Sequence, residues 1–162
     1  MATLALQPAR LVKSRDGKPA ECETITGVTG LNPGEICVKA NGALAACSND
    51  AVVVTHLATF DSDAQYIPGT TAYSGPYVKI KPGDTYEMNA YHATPASAVV
   101  ADTDLDAQPG YNLVKVGDNW HLNLAATNAP AVRLIARRSD CSATDIYPRV
   151  LVQFLPTVTQ DS

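Results

Sequence analysis

Three histidines, four cysteines and several closely spaced carboxylates are the residues here that could do chemistry beyond packing. Histidine is the side chain whose ordinary pKa lies nearest neutral, so His56, His92 and His121 could each partner a serine or cysteine nucleophile. No spacing supports such a site. Cys22, Cys37, Cys47 and Cys141 contain no C-x-x-C pair of the kind that holds zinc. Ser74-Gly75 lacks the glycine that a nucleophile elbow places two positions before its serine. Asp102-x-Asp104-x-Asp106 opens like a calcium loop, in which alternate carboxylates face one cation. Ala107 then stands where that loop needs Gly, and Leu113 where it needs Glu. The triplet reads as a solvated acidic turn. Asp61/Asp63 and Asp84/Glu87 could be drawn as acid and base, but each pair lies beside a turn, where Asp bonds the backbone. No glycine-rich loop opens a helix, so no phosphate cradle is indicated. A Ser–His or Cys–His pairing between distant segments stays open. The expectation is a protein that is not an enzyme and uses no cofactor or metal, with free thiols acting as small buried hydrophobes.

The elements that would position these groups are short strands. Glu35–Ala40 alternates at period two, and Asn41-Gly42 is a strong hairpin signal before Leu44–Cys47 returns. Ala51–Ala58 is a Val/Thr-rich run suited to a buried strand. Tyr77–Lys81 and Thr85–Tyr91 flank Lys81-Pro82-Gly83-Asp84 and read as a second hairpin. Tyr111–Val116, Trp120–Leu124, Val132–Arg137 and Arg149–Leu155 follow, and Phe60–Tyr73 is a loop. Ala93–Leu105 reads as the one short helix, with Thr94 as N-cap and Pro95 at its first position. Turn signals recurring along the chain argue for an all-β fold: a β-sandwich or β-barrel of short antiparallel strands with at most one short helix. The expected organisation is an extended N-terminal arm over residues 1–15, one β-rich domain over 16–155, and a flexible tail over 156–162. Tyr66, Tyr73, Tyr77 and Tyr86 could line a carbohydrate site or an interface, or simply pack.

The 162 residues suffice for one ordinary domain, and only 17% of them are charged. The net charge is −4 and no basic cluster exceeds Arg137-Arg138, which speaks against direct nucleic-acid binding. No apolar run approaches a membrane span, and no signal peptide is evident at the start. Ala, Val and Thr predominate, which suits surfaces that pack against neighbours.

Five pieces in this order carry a resemblance. They are Pro8-Ala-Arg-Leu-Val-Lys-Ser-Arg-Asp-Gly-Lys-Pro, Gly34-Glu-Ile-Cys-Val-Lys-Ala-Asn-Gly-Ala-Leu and Tyr77-Val-Lys-Ile-Lys-Pro-Gly-Asp-Thr-Tyr-Glu-Met-Asn-Ala-Tyr. Tyr111-Asn-Leu-Val-Lys-Val-Gly-Asp-Asn-Trp-His-Leu and Arg149-Val-Leu-Val-Gln-Phe complete the set. From about residue 8 to 155 the chain resembles the β-rich decoration, or cement, proteins of tailed-bacteriophage heads. The resemblance implies a structural virion protein, made in the host cytoplasm and placed on the outer capsid surface. Its partners would be the major capsid protein and further copies of itself, as dimer or trimer. Such arms commonly join the shell or a neighbouring subunit by strand addition. The matching stretch makes Leu4, Leu6, Arg10, Leu11, Val12 and Lys13 the candidate interface residues. Alternatives are a fibre or tail β-domain, a carbohydrate-binding β-sandwich, or a small hydrolase built on an unrecognised histidine pair.

Overall fold

A computed structural model describes residues 1–26, 28–51, 53–59, 74–107 and 109–159. The protein is all-β, with two sheets facing each other as a sandwich, one of them curled into a half-barrel. The strands are β1 (Arg10–Lys13), β2 (Cys22–Thr26), β3 (Ile36–Ala40), β4 (Ala43–Ala46), β5 (His56–Leu57) and β6 (Ser74–Lys79). They continue as β7 (Thr85–Tyr91), β8 (Asn112–Val116), β9 (Asn119–Asn123), β10 (Val132–Arg137) and β11 (Arg149–Phe154).

The larger sheet runs β10-β11-β7-β9-β8, with β1 pairing β7 beside that path. Thr85–Glu87 of β7 receives β1, while Asn89–Tyr91 receives β9, so two strands share one edge of β7. A bridge between Tyr111 and Val132 brings the ends of this sheet together. The Tyr111 N–H donates to Val132 O at 2.9 Å, and the Ala131 N–H donates to Tyr111 O at 2.9 Å. The smaller sheet runs β2-β6-β5-β3-β4. Alternation assigns its faces. Ile36, Leu57 and Val78 join Met88, Leu113, Trp120, Leu122, Val150 and Val152 in the main core. Their neighbours Cys37 and Tyr77 form a second cluster with Ile25, Val28, Leu31, Leu44 and Ala58 on the opposite side. Each large apolar side chain so buried contributes about 1.5–3 kcal/mol before entropy is counted.

Four expectations need correcting. Tyr77–Lys81 and Thr85–Tyr91 are not a hairpin, because β6 pairs with β2 and β5 while β7 belongs to the other sheet. Lys81–Asp84 is instead the corner between sheets. The Asp84 carboxylate accepts the Arg15 N–H at 2.7 Å and draws the corner toward β1 rather than back onto β6. The strands are not all antiparallel, since β7 and β9 run parallel. The Ala93–Leu105 helix is absent: only 3₁₀ turns form, at Pro95–Ser97 and Asp102–Asp104. Ala98 and Val100 are both fully buried, a two-residue spacing that suits extended chain, and their carbonyls accept from the Tyr147 N–H and the Arg137 guanidinium. Tertiary bonding thus overrides alanine's helix propensity. The tail, finally, is held as far as Thr159: Val158 is buried and the Val54 N–H donates to Val158 O at 2.8 Å. Ala51–Ala58 contributes a shorter strand than its composition suggests. The Thr55 hydroxyl accepts the Lys39 N–H at 2.8 Å, replacing a ladder bond. Asn41-Gly42 does form its turn, with φ of 52° and 81°.

One buried carboxylate ties the sheets together. Glu35, immediately before β3, is fully buried and accepts the Trp120 indole N–H of β9 at 2.7 Å and the Lys115 ammonium of β8 at 2.6 Å. Replacing Glu35 by Ala leaves both donors without their acceptor. Urea unfolding is expected to show a loss of about 3 kcal/mol for Glu35→Ala, with Glu35→Gln losing less because an acceptor for Trp120 is kept.

Candidate functional site

The N-terminal arm lies along its own chain as a strap. Thr3 bridges Ile146 in parallel, with the Leu4 N–H donating to Ile146 O at 2.9 Å and the Ile146 N–H to Ala2 O at 2.7 Å. The Ala2 N–H donates to the Asp145 carboxylate at 2.9 Å. Further along, β1 pairs with Thr85–Glu87.

The face beneath this strap is polar because of strand parity. Tyr86, Met88 and Ala90 point into the core, so Thr85, Glu87, Asn89 and Tyr91 point outward. Asn89 and His121 are direct partners across β7 and β9, which places both side chains on that outer face. The Asn89 side chain accepts the Gln7 N–H at 2.9 Å and donates to Ala5 O at 3.3 Å and Tyr147 O at 2.7 Å. Arg149 opens β11 beside it. Its Nε donates to Glu87 at 2.6 Å, while its terminal nitrogens donate to Gln7 O at 3.2 Å, Pro8 O at 3.3 Å and Asn89 at 3.1 Å. Arg10 and Arg138 also donate to Glu87, at 2.9 Å and 3.1 Å. Burial alone would raise the Glu87 carboxyl, but the hydrogen bonds from Arg149 and Arg10 outweigh it and hold the group at about 2.

Gly34 lets the strap lie this close. Its φ is +85°, and a Cβ there would stand 2.6 Å from Pro8 Cβ and 2.8 Å from the Ala9 nitrogen. Beside the passage lies a cleft of about 310 Å³ lined by Pro8, Arg10, Pro33, Thr59 and Arg149 among others. Of the candidate interface residues, Leu4, Leu6 and Leu11 are half-buried against the chain itself. Arg10, Val12 and Lys13 face solvent, with Val12 49% exposed.

The other sequence candidates resolve into structural roles. Thr55, His56 and Glu23 form a hydroxyl–imidazole–carboxylate chain, with His56 Nδ1 2.8 Å from Thr55 Oγ1 and Nε2 3.1 Å from Glu23. Its composition is that of a catalytic triad, yet Thr55 and His56 are buried and the hydroxyl already accepts from Lys39 N–H. The chain joins β2, β3 and β5. Burial lowers the His56 pKa, and Glu23 opposes the shift. Asp102 pairs with Arg137 at 2.6 Å, Asp104 accepts the Ala101 N–H at 2.7 Å and Asp106 pairs with Arg133 at 3.2 Å, so the acidic triplet serves local structure. Asp84 binds the Arg15 backbone as already described. Asp61, Asp63, Tyr66 and Tyr73 fall outside the described residues. Tyr77 and Tyr86 are buried core residues rather than an exposed aromatic platform. All four cysteines are free, and burial pushes Cys47 up to about 12 and Cys37 higher still.

Sequence reasoning did not single out Arg149 or Asn89, and it considered His121 only as a partner for a nucleophile. The available signal was the alternation of Glu87, Asn89 and Tyr91 with apolar residues in β7, which marks a polar outer face without saying what covers it.

No family model, no curated protein and no solved structure matches the chain.

Two outcomes test this arrangement. Gly34→Ala is expected to expose the strap to proteolysis and to lower stability by about 1–3 kcal/mol through backbone strain and the Pro8 clash. Strap cleavage unchanged from the parent would contradict the packing. Glu87 has a depressed folded pKa, so its stabilisation is complete above the ordinary 4.5 and is lost as pH falls toward about 2. A carbon-detected NMR titration of this carboxyl should find its midpoint near the lower value.

Proposed function

We propose that this chain is a structural protein of the outer surface of a tailed-phage head, where it stabilises contacts between major capsid protein subunits. The reading starts from the sequence resemblance. The observation that carries it further is the strap, an extended N-terminal segment held by main-chain hydrogen bonds over a polar sheet face. Residues 2–8 of this segment can detach without uncovering the main core, whereas Ala9 and Leu11 pack on that core and anchor β1. The same donors and acceptors that hold it in its own chain can hold the equivalent segment of another copy, or receive a strand of the shell. Arg10, Val12 and Lys13, which face outward from β1, would then meet the neighbour. Many modest contacts of this kind add up on a lattice that engages them simultaneously.

Co-sedimentation with expanded phage heads, followed by particle reconstruction, tests the proposal. The expected result is saturable binding at a stoichiometry set by the lattice, with density over local two-fold or three-fold axes. A protein that stays monomeric and shows no saturable association with such shells would overturn it.

A further inference from the structure

His121 lies on the same outer face as Asn89, its direct partner across β7 and β9, and Asn89 is bonded by Gln7 and Ala5 of the strap. His121 is fully buried, and neither ring nitrogen has a hydrogen-bond partner among the described residues. Burying a polar ring unpaired is costly, and burying its cation unpaired is costlier still. The groups around it offer no acceptor to an imidazolium. β7 presents the Tyr91 ring, stacked at 5.8 Å, and the Asn89 amide, whose oxygen already accepts from Gln7 and Arg149. β8 presents Val114, its direct partner across the ladder. The segment before β11 presents Tyr147, stacked on Tyr91 at 5.6 Å. The charge that faces it is the Arg149 guanidinium of β11, a like charge to the protonated ring. Glu87 is engaged by three guanidiniums.

The cover over this face consists of the strap and the segment it pairs with. Residues 2–8 bond Asp145, Ile146, Asn89 and Arg149, while Tyr147 O is held by Asn89. Opening the strap releases Asn89, the direct partner of His121, and Ile146, beside the Tyr147 ring of the stack that runs through Tyr91 to His121. The bonds that hold residues 2–8 are polar, and the apolar cover they lose on opening is that of the half-buried Leu4 and Leu6.

We infer that His121 is an acid-sensitive release for the N-terminal strap: the neutral ring is tolerated beneath the closed strap, and its protonation drives the strap open. This goes beyond the proposed function and rests only on contacts within one chain, so it is tested without any capsid. The sign follows from the folded pKa lying below the ordinary value. Burial holds the closed-state imidazole at about 4, and Arg149 adds to the effect, against 6.5 for an open ring. Strap closure is therefore fully favoured above pH 6.5 and weakens as pH falls toward 4. Arg149 stays on β11 when the strap opens, so full return to 6.5 sets the upper limit: a linked factor of about 1.3 at pH 7 and about 30 at pH 5, a rise of at most roughly 20-fold. Glu87 titrates below 4.5 and Asp145 below 3.8, so neither contributes in this window.

Amide hydrogen exchange at Leu4 and Gln7, corrected for intrinsic rates, measures strap opening at pH 7 and pH 5. The expected result is a rise of several-fold, up to roughly 20-fold, for these amides, with Val152 in the core unchanged, and loss of the rise in His121→Gln. An NMR titration of the parent His121 ring provides a measurement that needs no variant. A flat response at Leu4 and Gln7, an equal rise in His121→Gln, or a ring that titrates near 6.5 with the strap still closed would each overturn the inference.

Discussion

The Arg149 guanidinium binds a carboxylate on β7 and two carbonyls of the N-terminal strap at the same time, and the placement of the strap depends on that double engagement. A nearly buried guanidinium is costly to desolvate unless its donors are used. Here they are directed to Glu87, Asn89, Gln7 O and Pro8 O. Glu87 in turn keeps its charge because three guanidiniums surround it. The strap therefore completes the solvation of Arg149, and Arg149 gives the strap its register. Gly34 supplies the clearance, and Asn89 fixes the chain at Gln7, three residues before β1 begins.

This attachment differs in kind from the rest of the fold. The two sheets are joined through a core of Trp120, Met88, Leu122, Ile36 and their neighbours, with Glu35 as an internal tie. Separating them would expose apolar surface and two unpaired donors. Lifting residues 2–8 exposes Asn89 and Arg149, which water can solvate, together with the half-buried Leu4 and Leu6, while β1 stays anchored to the core through Ala9 and Leu11. The molecule thus has a cohesive body and a segment whose opening need not disturb it, which is the property that a strand-exchanging assembly protein requires.

Much of the body was legible because strand periodicity and turn chemistry are local. Asn41-Gly42 could only be a tight turn, and the alternation in Glu35–Ala40 and Thr85–Tyr91 marks strands with two unlike faces, although Cys37, Glu87 and Asn89 on the second face are buried as well. The sheet assignment was not legible. Lys81–Asp84 has the composition of a hairpin turn, but whether a turn folds back or crosses depends on distant partners, here Arg15 and the strands flanking β7. The Ala93–Leu105 helix failed for the same reason, since the partners of the Ala98 and Val100 carbonyls lie some 40 residues away at Tyr147 and Arg137. Among the candidate residues, Arg10–Lys13 lie in a strand that pairs β7 of their own chain. That Leu4 and Leu6 are half-buried against their own chain follows from Arg149 and Asn89, whose roles no local spacing announces.

Native-state hydrogen exchange across a urea series at neutral pH tests most directly that the strap opens apart from the body. Opening over a polar face exposes little surface, so exchange at Leu4 and Gln7 should depend weakly on urea, while Leu122 and Val152 should exchange only through global unfolding with its full dependence. Convergence of all four amides on one steep, global dependence would contradict the account, because the strap would then be an inseparable part of the core.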